Sequence, residues 1–463
     1  MDGIEKYVKP TFSKNEKKNL ALLVLCYAFL TSSLSLIVGT SSVEVKYLEK
    51  DTNTHSNNIA PLAYALFMIG TSFISLVTIP IFKCGRKVGF IIGNVFGIIG
   101  AILGAVAVQT QSIPLLLFSY IPLGAANGIG NYLRFAAIEV VPSEFEALAV
   151  TLVLSGGVIS AFVGPEAAQD TKFIFAKEPF LNIFVMLASF NLIMGILVCF
   201  VDFPTPVSSE TKENRDDETI PEEVKDNETS FKSIIMSRSF WIPAMIASFS
   251  WGIMTMPMSI TRVAMEDAEY TARNSLTVIE LHFLGMFLPG FISGKVIQRK
   301  GYVFTLIIAL FAFILGLVLN LISRPKEIGT IATWILGLFL MGAGWNFGFA
   351  SSTVWLTHSY DKNPNLKDKI QASNDFIMFA VTGIMIISTG YIYDPDGRTY
   401  VGNVLHGWQI VNYVTLGYVV VLACFVVFGY VSQKIESKKL EEKDVKEAVI
   451  DCGPSADENG ELT

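Results

Sequence analysis

Runs of apolar residues, most of them some twenty residues long, recur along almost the whole chain and are separated by short polar stretches. A helix needs about 20 mostly apolar residues to cross the ~30 Å hydrocarbon layer of a bilayer. Twelve segments meet that requirement: 19–40, 59–82, 88–109, 112–141, 146–168, 180–202, 238–262, 273–294, 302–323, 329–357, 370–393 and 408–432. The pattern predicts an all-α membrane protein with 12 transmembrane helices. The rhythm breaks after the sixth span, where PTPVSSETKENRDDETIPEEVKDNETS (204–230) is acidic and almost free of apolar side chains. Such a segment cannot bury a core. The expected organisation is a cytoplasmic N-terminal tail (1–18), a six-helix bundle (19–202), a cytoplasmic disordered linker (203–237), a second six-helix bundle (238–432) and a cytoplasmic C-terminal tail (433–463).

The two bundles carry signs of a repeat. The basic loop FKCGRKVGF (82–90) has a counterpart in VIQRKGYVF (296–304), and GAANGIGN (124–131) in the fourth span has one in GAGWNFGF (342–349) in the tenth. Both pairs are offset by a little over 200 residues, as two related halves require. Orientation follows from lysine and arginine in short loops. Lys6, Lys9, Lys14, Lys17 and Lys18 precede the first span. The loops after spans 2, 8 and 10 hold Lys83, Arg86 and Lys87; Lys295, Arg299 and Lys300; and Lys362, Lys367 and Lys369. Lys434, Lys438 and Lys439 follow the last span, while opposite loops contain Glu266-Asp267 and Asp394–Asp396. Both termini and the linker are therefore expected in the cytoplasm, with the plasma membrane as the expected location. The Asn227-Glu228-Thr229 sequon falls in the linker and reads as a chance match.

Composition sharpens this picture. Hydrophobic residues make up 52% of the 463 and charged residues only 16%, against roughly 25% charged in soluble proteins. The net charge of −7 comes largely from the linker and the C-terminal tail and points to no nucleic-acid partner. Cys26, Cys84, Cys199, Cys424 and Cys452 show no metal or disulfide spacing, and four lie in or beside apolar runs, where packing is the expected role. No phosphate-binding glycine loop, metal cluster or nucleophile motif is present. The sequence gives no basis for an enzyme, a cofactor, a metal site or an ATP-driven pump.

Twelve spans in a six-plus-six arrangement, with basic turns after spans 2 and 8, resemble the major facilitator superfamily. Gly85-Arg86-Lys87 matches the end of that family's Gly-x-x-x-Asp-x-x-Gly-Arg-Lys/Arg loop motif, while Thr78 and Phe82 stand at its opening Gly and its Asp. In the second half Gly294 and Gly301 match, with Gln298 at the acidic position. Glu139 matches a common acidic position at the inner end of span 4, and Asp375 at the inner end of span 11 is a possible partner for Arg86. Gly156-Gly157 and Gly164-Pro165 resemble part of the span-5 motif of proton antiporters, although Ala167 and Ala168 replace its last glycines. The span-4 arginine of many proton-coupled members would fall near Tyr120. NYLRFAAIEVVP and IELHFLGMFLPGFISG are similar to a sparsely characterised subgroup.

Polar and ionisable groups inside spans are unfavourable in hydrocarbon and mark cavities or helix contacts. In span 4, Tyr120, Gly124, Asn127, Asn131, Arg134 and Ile138 recur at helical steps and share a face. Arg134 suits an anionic group on a solute, or a structural ion pair, for which Glu139 is the nearest acid in sequence. Span 10 mirrors it with Gly342, Asn346, Thr353 and Thr357, and Trp345 beside them. Trp251, Thr255, Met254, Met256 and Met258 in span 7 suit a soft cavity wall or simple packing. Glu280 and His282 in span 8 are the proton-coupling candidates, set against a role as helix–helix hydrogen bonders. Glu166 suits a gate near the outer end of span 5, and Ser32, Ser33 and Ser35 either line the cavity or bond back to their own helix.

The expected function is secondary active or facilitative transport of a small organic solute, tilted by Arg134 toward an anion and open to proton coupling. Its cavity would be lined by Asn127, Asn131, Arg134, Trp251, Trp345 and Asn346, and its loop motif or gate formed by Gly85, Arg86, Lys87, Glu139 and Asp375. The expected working unit is a monomer in a lipid bilayer. The competing readings are a drug-type proton antiporter and a non-transporting receptor or scaffold.

Overall fold

Hydrocarbon offers no hydrogen-bond partner to backbone N–H and C=O groups, so a chain with this pattern crosses it as helices. The computed structural model describes residues 12–49, 59–142, 145–170, 180–203, 231–361, 363–393, 400–401 and 404–451. In chain order the helices are α1 (Lys14–Glu49), α2 (Leu62–Lys83), α3 (Arg86–Gln109), α4 (Ile113–Gly130), α5 (Leu133–Glu139), α6 (Glu146–Asp170), α7 (Leu181–Cys199), α8 (Phe231–Ile235), α9 (Arg238–Asp267), α10 (Ala272–Phe287), α11 (Gly290–Leu321), α12 (Ile331–Thr357), α13 (Lys367–Ile392) and α14 (His406–Asp451). A two-residue antiparallel ladder pairs Tyr400 with Leu405 just before α14.

Among the described residues, 10 stretches are long and apolar enough to cross a membrane. The stretch Ala272–Leu321 has 50 residues, which at 1.5 Å per residue is far too long for one pass. It reverses at Gly301, whose φ of 82° breaks the helical path. The 30-residue α9 adds a further pass; its Ser, Thr and Pro content makes it less apolar, and neighbouring helices bury most of it. With α4 and α5 forming one pass, the chain makes the twelve crossings that the hydrophobic pattern predicts. Phe73, Ile102, Phe311, Ile384 and Val427 are each more than half exposed on the outside of the bundle. Large apolar side chains so displayed suit lipid.

The two halves are α1–α7 and α9–α14, and glycine marks their correspondence. Gly85 (φ 105°) and Gly301 (φ 82°) occupy the same left-handed turn after spans 2 and 8, a conformation that L side chains adopt with strain. Gly124 lies so close to α2 that a Cβ there would sit 1.9 Å from the Phe67 carbonyl oxygen. Gly342 bears the same relation to α10, with a Cβ 2.5 Å from the His282 carbonyl oxygen. Both glycine-rich stretches are therefore close-packing surfaces for the preceding even-numbered span.

Several element limits differ from the hydrophobic windows. Helix α1 runs to Glu49, beyond the expected end at 40, and α14 runs to Asp451, into the expected tail. The end of the expected linker forms α8, whereas 204–230, with the Asn227 sequon, lies outside the described residues, as do Lys6, Lys9, Lys362, Asp394–Asp396 and Cys452. Of the cysteines expected to pack, Cys26 is buried, but Cys84, Cys199 and Cys424 are exposed.

Candidate substrate cavity

A cavity of about 330 Å³ lies between the halves. Asn127, Asn131 and Arg134 from the first half, and Trp251, Trp345 and Asn346 from the second, all line it. It reaches Ile138, Ile297 and Val354, near the end of the bundle where α1 begins, termed here the terminal end. The polar stripe of span 4 divides between two jobs. Tyr120 and Gly124 pack against neighbouring helices, while Asn127, Asn131, Arg134 and Ile138 face the cavity. The helix loosens between α4 and α5, where ψ flattens to −20° at Asn131 and −6° at Tyr132. Span 10 likewise contributes Asn346 and Thr353, while Gly342 serves packing.

The cavity wall is aromatic. Trp251 and Trp345 meet edge to face with centroids 4.9 Å apart, Trp345 stacks on Phe349 at 5.5 Å and 7°, and Trp251 contacts Phe379 at 5.3 Å. Trp251 and Trp345 are only 7% and 6% exposed, and neither indole N–H has a hydrogen-bond partner in the protein. Asn346 Nδ2 donates to the Met286 carbonyl at 2.7 Å, which holds the amide in place and leaves Oδ1 without a partner. Buried polar atoms without partners are unfavourable; the three residues that carry them all line the cavity beside an aromatic surface, and an aromatic wall with a few polar groups suits a flat organic solute. Met254, Met256, Met258 and Thr255 are buried in the packing instead. Ser32, Ser33 and Ser35 bond back to the carbonyls of Ala28, Phe29 and Ser32.

Charge pairing differs from the expectation. Asp375 meets Arg134, with Nη2 and Oδ2 3.7 Å apart, and Arg86 pairs with Glu139 through Nε at 2.9 and 3.0 Å. Both proposed pairings, Asp375 with Arg86 and Arg134 with Glu139, are thus exchanged. The reason is geometric: α5 turns Arg134 into the gap between halves, where α13 presents Asp375, while Glu139 at its end faces the α2–α3 turn. Phe82, at the motif's acidic position, lies under the Arg86 guanidinium at 4.7 Å, so a ring face replaces the missing carboxylate. Lys87 donates to the Cys199 carbonyl at 2.9 Å. The Gly85-Arg86-Lys87 loop is therefore tied to its own half.

The opposite end of the bundle is closed by bonds between halves. Lys46 on α1 reaches Glu266 and Asp267 on α9 at 3.4 and 3.1 Å, and Arg262 donates to the Gly39 carbonyl. Arg273 on α10 holds Glu166 of α6 at 2.6 Å and lies 3.7 Å from Glu280 of its own helix. Glu280 is therefore part of this far-end cluster and does not line the cavity. His282 is fully buried, with Nδ1 2.6 Å from the Leu338 carbonyl oxygen on α12, the placement of a helix–helix hydrogen bonder. Gly156, Gly157 and Gly164 are packing contacts, against Val24, Phe287 and Ser35. Sequence reasoning passed over Glu44, Lys46, Arg262 and Arg273. The first two lie past the apolar window of span 1, yet the uninterrupted helix-compatible run to Glu49 was a usable signal.

The sequence model of the Major Facilitator Superfamily matches residues 20–367. The chain belongs to this superfamily. The riboflavin transporter RfnT of Brucella anthropi is 25% identical over 406 residues, covering 86% of this chain and 92% of that protein. The uncharacterised MFS-type transporter YddS of Bacillus subtilis is 26% identical over 406 residues, covering 84% and 89%. In the D-xylose-proton symporter structure, 88% of this chain and 97% of that one superpose with a TM-score of 0.66 at 13% identity. A fucose:proton symporter of E. coli gives 0.56 at 16% identity, covering 89% and 99%. This major facilitator protein is accordingly a multi-pass membrane transporter with the fold that its twelve-span pattern implied.

Proposed function

We propose that this transporter carries a flat, uncharged heteroaromatic solute of the flavin class by alternating access. The observation that carries the reading is the cavity wall itself, where Trp251, Trp345 and Asn346 lie together and Trp345 stacks on Phe349. The similarity to a riboflavin transporter over most of both chains supports the same solute class. Arg134, which in the sequence tilted the reading toward an anion, already has Asp375 as counter-charge. The positive-inside bias puts the terminal end in the cytoplasm, and the plasma membrane is the proposed location. With that orientation, the inter-half bonds at the far end support reading this as a state open toward the cytoplasm. Glu280, buried and 3.7 Å from Arg273, supports a proton-coupled cycle, because opening that end would hydrate its carboxylate and free it to exchange a proton.

The test is riboflavin uptake by purified protein in proteoliposomes, with and without a pH gradient. The expected result is saturable uptake, accelerated by the gradient and reduced in Glu280→Gln. Folded protein that neither binds nor takes up riboflavin sinks the flavin reading. Uptake indifferent to the gradient removes proton coupling alone.

A further inference from the structure

Arg134 carries the only formal charge among the described residues lining the cavity. Its guanidinium is 4.7 Å from the Phe135 ring centre and 5.5 Å from that of Phe349, and its Nε is buried without a hydrogen-bond partner. Asp375, behind the wall and 5% exposed, reaches Nη2 at 3.7 Å and accepts a hydrogen bond from Asn374 Nδ2 at 3.2 Å. Arg86 and Glu139 neutralise each other nearby, and Tyr132 adds no charge. Asp368 adds a further acid on the exposed start of α13, so at the cavity itself the balance is that of Asp375 and Arg134, one buried acid opposite one base.

We infer that Asp375 is the charge-selecting residue of this carrier: it occupies the electrostatic role that an anionic solute would otherwise take on Arg134, and so restricts the cavity to neutral solutes. A buried charge without a counter-charge is strongly unfavourable. An anion entering the intact site would bring one net negative charge into a balanced, mostly apolar space beside the Asp375 carboxylate. Without Asp375, Arg134 would be a lone cation on an aromatic shelf, and an anionic group would be its natural partner. Specificity of this kind rests on a repulsive element as much as on an attractive one. The inference rests on the flavin-class reading for its choice of probe, but the balance of Arg134 and Asp375 holds for any solute.

The experiment compares wild type, Asp375→Asn, Asp375→Glu and the double variant Arg134→Gln/Asp375→Asn. Riboflavin and its 5′-phosphate are a matched neutral and anionic pair. Binding of each is measured on folded protein in detergent, alongside thermal stabilisation by inorganic phosphate. Asp375→Asn should shift the affinity ratio toward the phosphate ester by about tenfold or more and should acquire stabilisation by inorganic phosphate. Asp375→Glu should retain the wild-type ratio, and the double variant should lose both gains. An unchanged ratio in folded Asp375→Asn, together with no response to phosphate, overturns the inference. If no variant binds either flavin, the flavin-class reading fails, while the phosphate response still decides the role of Asp375. Should Asp375→Asn not fold, the double variant binding the ester better than wild type also overturns it, and equal or weaker binding of the ester with riboflavin binding kept supports it.

Discussion

Tyr120 on α4 donates a 2.5 Å hydrogen bond to Glu44 on α1, with both side chains fully buried. The same position is where the superfamily resemblance would put an arginine. A phenol in its place gives the Glu44 carboxyl a neutral donor, and the second carboxyl oxygen, Oε1, remains without a hydrogen-bond partner. Tyr120→Phe should destabilise the folded protein by about 1–3 kcal/mol, the range for leaving a buried hydrogen-bonding group without its partner. In a cycle with Glu44→Gln the two losses should be strongly non-additive. Thermal unfolding of the four proteins in one detergent measures the coupling, and simple additivity would refute it.

The far-end bonds should set the conformational balance. Lys46→Ala with Arg273→Ala removes contacts of Lys46 with Asp267 and of Arg273 with Glu166, all of which span the halves. A loss of roughly 1 kcal/mol from the closed far end raises the opposite state about fivefold. A cysteine placed at Thr31, which lines the cavity, reports this in a background with all five native cysteines changed to serine. Its labelling from the far side by a membrane-impermeant thiol reagent should accelerate several-fold in the double variant. Equal labelling rates would show that these pairs do not gate.

Glycine substitutions should separate close contacts from open positions. Gly124→Ala and Gly342→Ala each drive a methyl into a backbone carbonyl of the neighbouring helix and should cost about 1–3 kcal/mol. Gly417→Ala in α14 meets nothing within 4 Å and should leave the melting temperature unchanged or slightly raised. Differential scanning fluorimetry of the three variants is sufficient, and equal effects would contradict the packing argument.

Two tryptophans should differ in their effect on affinity. Trp345 lines the cavity, whereas Trp334 is buried away from it, its Nε1 donating to the Arg324 carbonyl at 3.2 Å. On the flavin-class proposal, Trp345→Ala should lower riboflavin affinity roughly tenfold in the protein that folds, and because Trp345 is buried among Trp251, Phe287 and Phe349 it should also lower stability. Trp334→Ala should lower stability by about 3–5 kcal/mol, as large aromatic deletions do, and leave affinity near wild type in the protein that folds. Equilibrium titration followed by intrinsic fluorescence quenching distinguishes them.

Much of the candidate site was legible along the chain. Asn127, Asn131, Arg134, Trp345 and Asn346 stand out because polar and amphipathic groups on a membrane helix need a reason to be there, and Trp251 falls at the matching depth of span 7. Glu44 and Lys46 escaped because a hydrophobic window ends at the first charges, while the helix itself continues to Glu49 under cover of its neighbours. Glu280 and His282 were found but not placed. Their sequence position gives depth in the bilayer, whereas their direction depends on which helices pack beside α10.

The sequence by itself determined the twelve crossings, the two halves and the short list of buried polar residues, because bilayer thickness and the penalty for a charge in hydrocarbon act on each segment separately. Pairing was decided only by the tertiary structure. Arg134 found Asp375 across the gap between the halves, some two hundred and forty residues away in sequence, and Arg86 kept Glu139. Coulombic partners are chosen by distance in space, and the rotation of each helix about its axis, set by packing at contacts such as Gly124 and Gly342, is what brings them within reach.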